Sequence, residues 1–276
     1  MRQQWVSSSP PKTAARHRSA LATVILGLLT LLVYAYLFAP IFVVIIASFN
    51  PTGLTSFPPT GFTLDWYREL LRDGDLLRAL RTSVLIAVTT ALLTAVVATA
   101  AALGLQRVAP RWRRFLQAYF YLPIVVPGIV AGIALVFWFK RIGVPLGYPS
   151  ILLAHIVHAF PYALALVLAA LSSFDPRLEE ASLDLGATPW RTFRRVTLPL
   201  IAPGVLGGML LAFTLSFDEF VLTFFVTGGG ITTLPLEIYN RIRFLISPVV
   251  NAVAAFVLLV SMAIVLVTQL VVIRRR

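Results

Sequence analysis

A polar segment between two long apolar runs decides how this chain folds, and over residues 172–203 it reads SSFDPRLEEASLDLGATPWRTFRRVTLPLIAP. Asp175 stands directly before Pro176, and Thr188 stands directly before Pro189. Aspartate and threonine are favoured caps at helix N-termini, and proline is favoured at the first helical position. The segment therefore predicts two short helices, one starting at Pro176 and the other at Pro189.

The same segment also predicts where the two helices end and which residues share a face of the second helix. Gly186 is expected to end the first helix, because glycine adopts the left-handed conformation without steric cost. Pro199 is expected to stop the second helix. Trp190, Phe193 and Val196 recur every three residues and share one helix face. The segment thus predicts a helix–turn–helix whose aromatic face either docks on a partner or folds against the protein's own helices.

The apolar runs on both sides of this segment belong to a membrane protein. Of the 276 residues, 59% are hydrophobic and 12% are charged, and a spanning helix needs about 20 mainly apolar residues. Spans of this kind are helical, because lipid cannot satisfy an open backbone. Six spans are predicted, at Ala20–Phe49, Thr82–Leu105, Phe115–Phe139, Ser150–Leu171, Pro203–Thr227 and Val249–Ile273. We therefore expect an all-α polytopic membrane protein with six transmembrane helices.

The distribution of basic residues predicts the orientation of the spans. Of the 23 Lys and Arg residues, 15 lie on the side that holds the two termini and the segment 172–203, and 8 lie on the other side. The positive-inside rule then places both termini in the cytoplasm. Basic residues that flank apolar runs in this way argue against nucleic acid as the partner of a chain with net charge +12. The absence of cysteine excludes disulfide and thiol chemistry.

The segment 172–203 resembles the EAA loop of the permeases of binding-protein-dependent ABC importers. That motif is Glu-Ala-Ala, three residues, Gly, nine residues, Ile, one residue and Leu-Pro. The corresponding residues here are Glu180, Ala181, Ser182, Gly186, Val196, Leu198 and Pro199. Ser182 replaces the second alanine and Val196 replaces the isoleucine, while the spacing is fully kept.

This resemblance implies a type I ABC importer permease fold in a bacterial inner membrane. Residues 1–19 would form a basic cytoplasmic tail, and residues 20–276 a single transmembrane permease domain with a cytoplasmic coupling loop at about 172–203. In the family this loop docks on the ATPase. The residues expected to do so are Glu180, Ala181, Gly186, Trp190, Phe193, Val196, Leu198 and Pro199. The implied partners are a second permease in a heterodimer, two ATPase subunits, a periplasmic or lipid-anchored solute-binding protein, and membrane lipid.

The ATPase is expected to be a separate chain, because the sequence lacks a phosphate-binding P-loop. Such a loop needs a glycine-rich turn that ends in Lys-Ser or Lys-Thr. The two lysines are Lys12, which follows a stretch without glycine, and Lys140, which precedes Arg141. No catalytic residue, metal site or cofactor is therefore expected in this chain, and ATP and Mg²⁺ would bind to the partner ATPase.

The fifth predicted span carries two carboxylates, Asp218 and Glu219. A charged side chain at the centre of a bilayer costs about 2.5–3.5 kcal/mol, so an acid there is a functional candidate by default. Ser216 and Thr223 fall on the same face of a continuous helix as Glu219, and Asp218 lies beside that face. We expect these four residues to line an aqueous path between two subunits and to attract a cation. A structural or coupling role is the alternative for both acids, and Asp218 is the stronger candidate for substrate contact.

Three stretches are similar to the spermidine/putrescine-type branch of these permeases. They read LPIVVPGIV at 122–130, SFDEFVLTFFVTG at 216–228 and TTLPLEIY at 232–239. The resemblance implies a polyamine or a similar small cationic solute. Relatives in the same branch carry aminophosphonates, opines or amino-acid derivatives, which remain alternatives. A channel that works without ATP and an intramembrane enzyme are rival classes, and no His–acid–nucleophile arrangement supports the enzyme.

Histidines and prolines inside the spans give two further expectations. His155 and His158 are three residues apart and share a face of the fourth span. No cysteine or carboxylate in that span completes a metal site, so a hydrogen-bonded packing role is expected for them. The prolines expected to kink the spans are Pro40, Pro123, Pro127 and Pro161.

Overall fold

The computed structural model describes residues 12–52, 59–244, 249–259 and 262, and every regular element among them is a helix. The helices are α1 (Lys12–Ala47), α2 (Asp65–Arg72), α3 (Gly74–Gln106), α4 (Pro110–Val125), α5 (Gly128–Ile142), α6 (Tyr148–Ser172), α7 (Arg177–Asp184), α8 (Pro189–Thr192), α9 (Leu198–Phe217), α10 (Val221–Val226), α11 (Leu234–Phe244) and α12 (Val249–Leu259). A π-helical turn at Phe193–Thr197 joins α8 to α9. The all-α prediction is therefore confirmed.

Four stretches within the described ranges are long and apolar enough to cross a membrane. They are Thr23–Ala47 in α1, all of α3, all of α6, and Pro189–Phe217, which runs from α8 through α9. The bent pair α4–α5 adds a fifth if it forms one span. The predicted spans Thr82–Leu105 and Ser150–Leu171 are confirmed as helices, although α3 begins earlier, at Gly74. Most of the sixth predicted span and of the tail at 1–19 lies outside the described residues.

The third predicted span, Phe115–Phe139, is not one continuous helix. Its chain bends by 104° between α4 and α5. Val126, the C-cap of α4, is extended at ψ 124°, and Pro127 precedes α5. Proline disfavours the helical conformation for the residue before it and has no N–H to donate, which is consistent with the end of the helix at Val126. The kink predicted at Pro127 is confirmed, whereas the helices continue through the other three prolines.

The fifth predicted span, Pro203–Thr227, is also broken. Helix α9 ends at Phe217 and α10 starts at Val221, which leaves Asp218, Glu219 and Phe220 outside regular structure; we call these three residues the break. The side chain of Glu219 accepts the backbone N–H of Leu222 at 2.9 Å. A continuous helix would give that N–H to a backbone carbonyl four residues earlier. The local side-chain bond replaces it, and the prediction of an unbroken span was wrong.

Pro199 does not stop the second helix of the coupling loop, contrary to the prediction. The helical path continues from Pro189 to Phe217. In the π-helical turn before it, the N–H of Leu198 donates to the carbonyl of Phe193, five residues back. The wider turn displaces the carbonyls that a proline ring would otherwise meet, so the chain remains helical through Pro199.

Contacts divide the chain into two units, residues 71–245 and residues 1–70 with 246–276. In the first unit, α3, α6 and α9 pack on one another around Ala98, Leu164 and Ile201. Helices α6 and α9 run close together because small residues line their contact. A Cβ on Gly208 would lie 3.2 Å from the Cα of Ala163. Close backbone approach at small residues is typical of helix pairs in membranes.

The end of the bundle far from the coupling loop is closed by hydrogen bonds between distant segments. The N–H of Leu234 donates to Ser83 Oγ at 2.8 Å, which ties the start of α11 to α3. In the other unit, the chain folds back after α1. The indole N–H of Trp66 donates to the carbonyl of Asn50 at 2.8 Å, and the hydroxyls of Ser48 and Tyr67 are 2.7 Å apart.

Candidate functional site: the broken fifth span and the coupling loop

His155 of α6 bridges the two halves of the broken span. Its Nδ1 lies 2.8 Å from Ser216 Oγ, in the last turn of α9, and its Nε2 lies 2.9 Å from Thr223 Oγ1, in α10. All three side chains are buried. The predicted hydrogen-bonded packing role of His155 is therefore confirmed, and α6 holds α9 and α10 in register across the break.

The hydrogen-bond chain fixes the tautomer of His155. The Thr223 hydroxyl donates its only proton to the carbonyl of Glu219 at 2.9 Å, so Thr223 Oγ1 accepts from His155 Nε2–H. Nδ1 of the neutral ring is then an acceptor, and the Ser216 hydroxyl donates to it. The chain runs from Ser216 through His155 and Thr223 to the backbone of the break, and every one of these buried polar atoms is satisfied.

Both oxygens of the Glu219 carboxylate are engaged within the fold. Oε1 accepts from Leu222 N–H, and Oε2 lies 3.4 Å from His158 Nε2. The Glu219 side chain is only 12% exposed, so these contacts take the place of most of its hydration. The sequence placed both histidines on one face of α6 but gave no sign that this face meets Glu219.

Asp218 is placed differently from its neighbour. Asp218 is exposed, and its carboxylate makes no hydrogen bond or ion pair with any residue that the structure describes. It is the C-cap of α9, where the helix dipole places partial negative charge. Aromatic rings lie at and beside the break: Phe217 stacks on Phe213 with centroids 5.9 Å apart, and the Phe220 centroid is 4.8 Å from that of Tyr239.

Three of the four polar residues predicted for the pathway meet histidines of α6, although the span that carries them is broken. Ser216 and Thr223 face α6 and are buried, Glu219 faces His158, and Asp218 is exposed. The assignment of these four residues to a substrate pathway stays a prediction.

A cavity of about 300 Å³ lies beside the break, under the bend between α4 and α5. The bend supplies Pro127 and Gly128, α10 supplies Leu222, and α6 supplies His158. Gly128 and Gly132 let α10 approach α5, since a Cβ on Gly132 would lie 2.6 Å from the Phe225 ring. The two interrupted spans therefore meet around one small, mainly apolar space.

The coupling loop has the predicted helix–turn–helix architecture. Helix α7 begins at Arg177, one residue later than expected, and Asp175 Oδ1 accepts the N–H of this first residue at 3.0 Å. Gly186 adopts φ +81° and ends the first helix, as predicted. Thr188 caps α8 by accepting the N–H of Arg191 at 3.4 Å. The sequence was sufficient to predict these helix ends because each capping interaction acts within four residues.

Two side-chain bonds that the sequence did not reveal hold the coupling loop together. The Thr197 hydroxyl donates to the Glu179 carboxylate, and the Ser182 and Thr192 hydroxyls are 3.0 Å apart. They join α7 to the helix that continues into the fifth span. Glu179 lies next to Glu180 of the family motif, and the folded arrangement shows that Glu179 is partly buried while Glu180 is exposed.

The aromatic face of the coupling loop is open at Trp190 and partly buried at Phe193 and Val196. Trp190 is 69% exposed and its ring centroid lies 5.5 Å from that of Phe193. Of the residues expected to dock on an ATPase, Glu180, Ala181, Gly186, Trp190 and Pro199 are exposed, and Phe193, Val196 and Leu198 are partly buried. A cavity of about 390 Å³ lies beside this face and reaches Arg107 at the end of α3.

Comparison with known proteins identifies the family. The family described as "Binding-protein-dependent transport system inner membrane component" matches residues 96–276. The chain belongs to this family. It is a permease component of an ABC importer, as its resemblance to the EAA loop implied. As an inner membrane component, it acts beside other subunits of its transport system.

Two curated relatives of this permease are named as permeases of polyamine transport systems. The spermidine/putrescine transport system permease protein PotC of Escherichia coli (strain K12) is 36% identical over 239 residues, which cover 87% of this chain and 90% of PotC. The putrescine transport system permease protein PotI of the same strain is 36% identical over 236 residues and covers 83% of both chains.

Solved structures share the fold at low sequence identity. A bacterial ABC transporter involved in the import of the acidic polysaccharide alginate superposes with a TM-score of 0.73 at 16% identity, over 97% of this chain and 99% of that one. A bacterial alginate ABC transporter in complex with its pentasaccharide-bound periplasmic protein gives a TM-score of 0.70 at 19% identity, over 92% and 94%. The fold is thus that of ABC importer permeases.

Proposed function

We propose that this permease imports polyamines or similar small cationic solutes, and that it forms half of the pathway with a second, similar permease in a heterodimer. The observation that carries the proposal is the exposed carboxylate of Asp218, at the break in the fifth span. The names of PotC and PotI support a polyamine as the solute.

The surroundings of Asp218 suit a cation. Its carboxylate adds a full negative charge to the partial negative charge at the end of α9. The rings of Phe217, directly before the break, and of Phe220, within it, would attract an ammonium group placed over their faces. Broken helices in transporters commonly present such groups to the solute. Asp218 would contact the solute, while Glu219, Ser216 and Thr223 would shape the pathway around it.

The energy for transport would enter through the coupling loop. Two ATPase subunits would dock on the two permeases, bind ATP and Mg²⁺, and move the coupling loops when they close. The exposed Trp190 and the residues around Gly186 supply the docking surface on this chain. A periplasmic or lipid-anchored binding protein would deliver the solute from the other side. For transport, ATP and the loaded binding protein must each stabilise one conformation of the pathway more than the other.

For the topology we propose six spans, with the last at Val249–Ile273 and both termini in the cytoplasm. Residues 1–19 would be the cytoplasmic tail and residues 20–276 a single permease domain. The chain contains no cysteine, so a single introduced cysteine reports on which side of the membrane it lies, without labelling elsewhere in the chain. A membrane-impermeant maleimide should label Arg72→Cys in intact spheroplasts, and Ser8→Cys and Ser173→Cys only after permeabilisation. The opposite pattern would reverse the proposed orientation.

The solute proposal is tested with Asp218→Asn in the complete transporter. We expect uptake of radiolabelled putrescine at low concentration to fall by about tenfold or more, because one full charge is lost from the path. Asp75→Asn is the matched control, since Asp75 is an exposed acid that pairs locally with Arg78. Equal uptake by Asp218→Asn and the wild-type transporter would remove Asp218 from the pathway.

A further inference from the structure

Four arginines lie at the corner between α3 and α4, and we call them the corner arginines: Arg107, Arg111, Arg113 and Arg114. The stretch of α3 that precedes them, residues 82–105, contains no charged residue. At 1.5 Å per residue it extends about 36 Å, which is close to the thickness of the hydrocarbon core of a bilayer. The corner follows directly, so it lies where the span meets the lipid headgroups.

The fold does not neutralise the corner arginines. They are exposed, except for Arg113, which is partly buried. None of their side chains makes an ion pair or a hydrogen bond with any residue that the structure describes. Glu179 lines the same cavity as Arg107 but does not pair with it, and the sequence contains no acid between Asp75 and Asp175. Positive charges this close together repel one another, so the corner is suited to an anion.

An exposed aromatic stripe begins at the same corner. Trp112, Phe115 and Tyr119 are three and four residues apart and share one face of α4, and each is more than half exposed. The Arg111 guanidinium lies beside this face, 5.9 Å from the Trp112 ring centroid. A different face of α4 packs inward, where Phe120 contacts the core formed by α3, α6 and α9. Tryptophan and tyrosine are enriched where a protein meets the membrane–water interface.

We propose that the corner arginines and the aromatic stripe form a binding surface for an anionic phospholipid. The forked guanidinium groups pair with the headgroup phosphate through two parallel hydrogen bonds each, a geometry that lysine does not offer. The aromatic stripe contacts the glycerol and the first part of the acyl chains. Phosphatidylglycerol has the required chemistry, because its headgroup carries a net negative charge and no ammonium group.

The direction of the stripe favours a lipid over a dissolved anion. From Phe115 onward α4 contains no charged residue, and it packs against α3 and α6, so it runs from the headgroups into the membrane. The stripe follows this path for about 10 Å, from Trp112 to Tyr119. A dissolved anion would meet only the arginines, whereas a phospholipid meets both parts of the surface. The surface is independent of the solute and of the orientation of the chain, because headgroups border both ends of a span.

The test measures which lipid lies next to Trp112. The complete transporter is placed in vesicles of equal parts phosphatidylcholine and phosphatidylglycerol, with brominated acyl chains on one lipid or on the other. Bromine quenches tryptophan fluorescence at short range, and subtraction of the Trp112→Phe signal isolates Trp112. We expect brominated phosphatidylglycerol to quench more strongly by about twofold or more, because each arginine at an anionic surface favours binding by about fivefold.

Two results in the wild-type transporter would overturn the proposal. Equal quenching by the two brominated lipids would show that the surface does not select an anionic headgroup. No quenching by either lipid would show that another protein covers the stripe.

A double variant assigns the preference to the corner. Arg111→Gln with Arg114→Gln, measured against its own Trp112→Phe reference, should quench equally with the two lipids. Quenching with both lipids brominated should persist, which shows that α4 remains folded in the membrane. Arg177→Gln with Arg191→Gln is the matched control, because it removes the same charge from exposed positions of the coupling loop. Wild-type preference in the corner variant, or its loss in the control, would overturn the assignment.

A dissolved phosphate compound is excluded by a competition measurement. Glycerol 3-phosphate in excess carries the phosphate chemistry of the headgroup without acyl chains. We expect it to leave the preference of Trp112 for brominated phosphatidylglycerol unchanged, because it cannot contact the aromatic stripe. Loss of the preference would assign the corner arginines to a dissolved phosphate and overturn the lipid surface.

Discussion

Arg241 clamps Asp73 with two hydrogen bonds, from Nη1 to Oδ2 at 2.6 Å and from Nη2 to Oδ1 at 3.0 Å. The same carboxylate caps α3 by accepting the N–H groups of Asp75 and Leu76. Arg241 in turn donates to Glu237 in its own helix at 2.8 Å. One aspartate thus starts a membrane-spanning helix and anchors α11 to it, at the end of the bundle far from the coupling loop.

The first prediction concerns the loss of this clamp. Asp73→Ala removes a helix cap, which alone is worth about 1–2 kcal/mol, and it leaves Arg241 without its bidentate partner. The melting temperature of the purified protein should fall by about 2–6 °C. Asp75→Ala is the control, because Asp75 lies in the same turn and its carboxylate pairs with exposed Arg78. Equal melting temperatures for the two variants would contradict the role of the clamp.

The pH dependence of stability gives a second prediction. The hydrogen bonds from Arg241 lower the pKa of Asp73 below its ordinary value of 3.8. A carboxyl whose pKa is lower in the folded state contributes stability above its unfolded pKa, and that contribution is lost as pH falls through the folded value. The difference in melting temperature between wild type and Asp73→Asn should therefore be constant at neutral pH and shrink only below about pH 4. A difference that shrinks between pH 7 and pH 5 would exclude Asp73 as the cause.

The coupling loop supplies a third prediction, on the bond between Glu179 and Thr197. This bond joins α7 to the π-helical turn that leads into the fifth span, so its loss should weaken the transmission of ATPase movement. We expect Glu179→Gln and Thr197→Val to lower uptake while the ATPase activity of the complex persists. In a double-mutant cycle the two changes should be non-additive by about 0.5–3 kcal/mol.

Asp184→Asn serves as the control for these variants, because Asp184 is an exposed acid of the same helix. Additive effects of Glu179→Gln and Thr197→Val would show that the bond does not contribute to coupling. Equal loss of uptake in Asp184→Asn would show that any change of charge on α7 has the same effect.

Gly186 gives a fourth prediction, because its backbone conformation disfavours a side chain although the space around it is open. At φ +81° a side chain is strained, yet a Cβ there meets no atom within 4 Å. Gly186→Ala should therefore cost about 1–2 kcal/mol within the loop and lower uptake moderately. Gly186→Asp adds a negative charge on the proposed docking face and should abolish uptake without affecting membrane insertion. Normal uptake by Gly186→Asp would refute the coupling role of the turn. Gly104→Ala, which is helical and unobstructed, is the control.

The sequence predicted those parts of the molecule in which cause and effect are close together in the chain. Thr188 with Pro189 starts α8, and Gly186 ends α7, because each interaction spans at most four residues. The break was missed because its causes are distant. His155, which bridges it, lies 61 residues from Ser216 and 68 from Thr223. Helical periodicity alone favoured a continuous span, and only the packing of α6 shows which face each half presents.

The last prediction tests the contact between α6 and α9, on which the bridge by His155 depends. A Cβ on Gly204 would lie 2.4 Å from Ala170 Cβ and 2.8 Å from the carbonyl oxygen of Leu166, whereas one on Gly207 would come no closer than 3.7 Å to Leu166. Gly204→Ala must therefore separate two packed helices, and overpacking of this kind costs about 1–3 kcal/mol.

Gly207→Ala, one helical turn away, is the matched control and should be neutral or slightly stabilising, because alanine favours the helix. Thermal melting of the two purified variants in the same detergent distinguishes these outcomes. Gly204→Ala should melt at a lower temperature and lose uptake, since a shift of α9 pulls Ser216 away from His155. A melting temperature for Gly204→Ala equal to that of Gly207→Ala would mean that the two helices do not pack at this distance in the membrane.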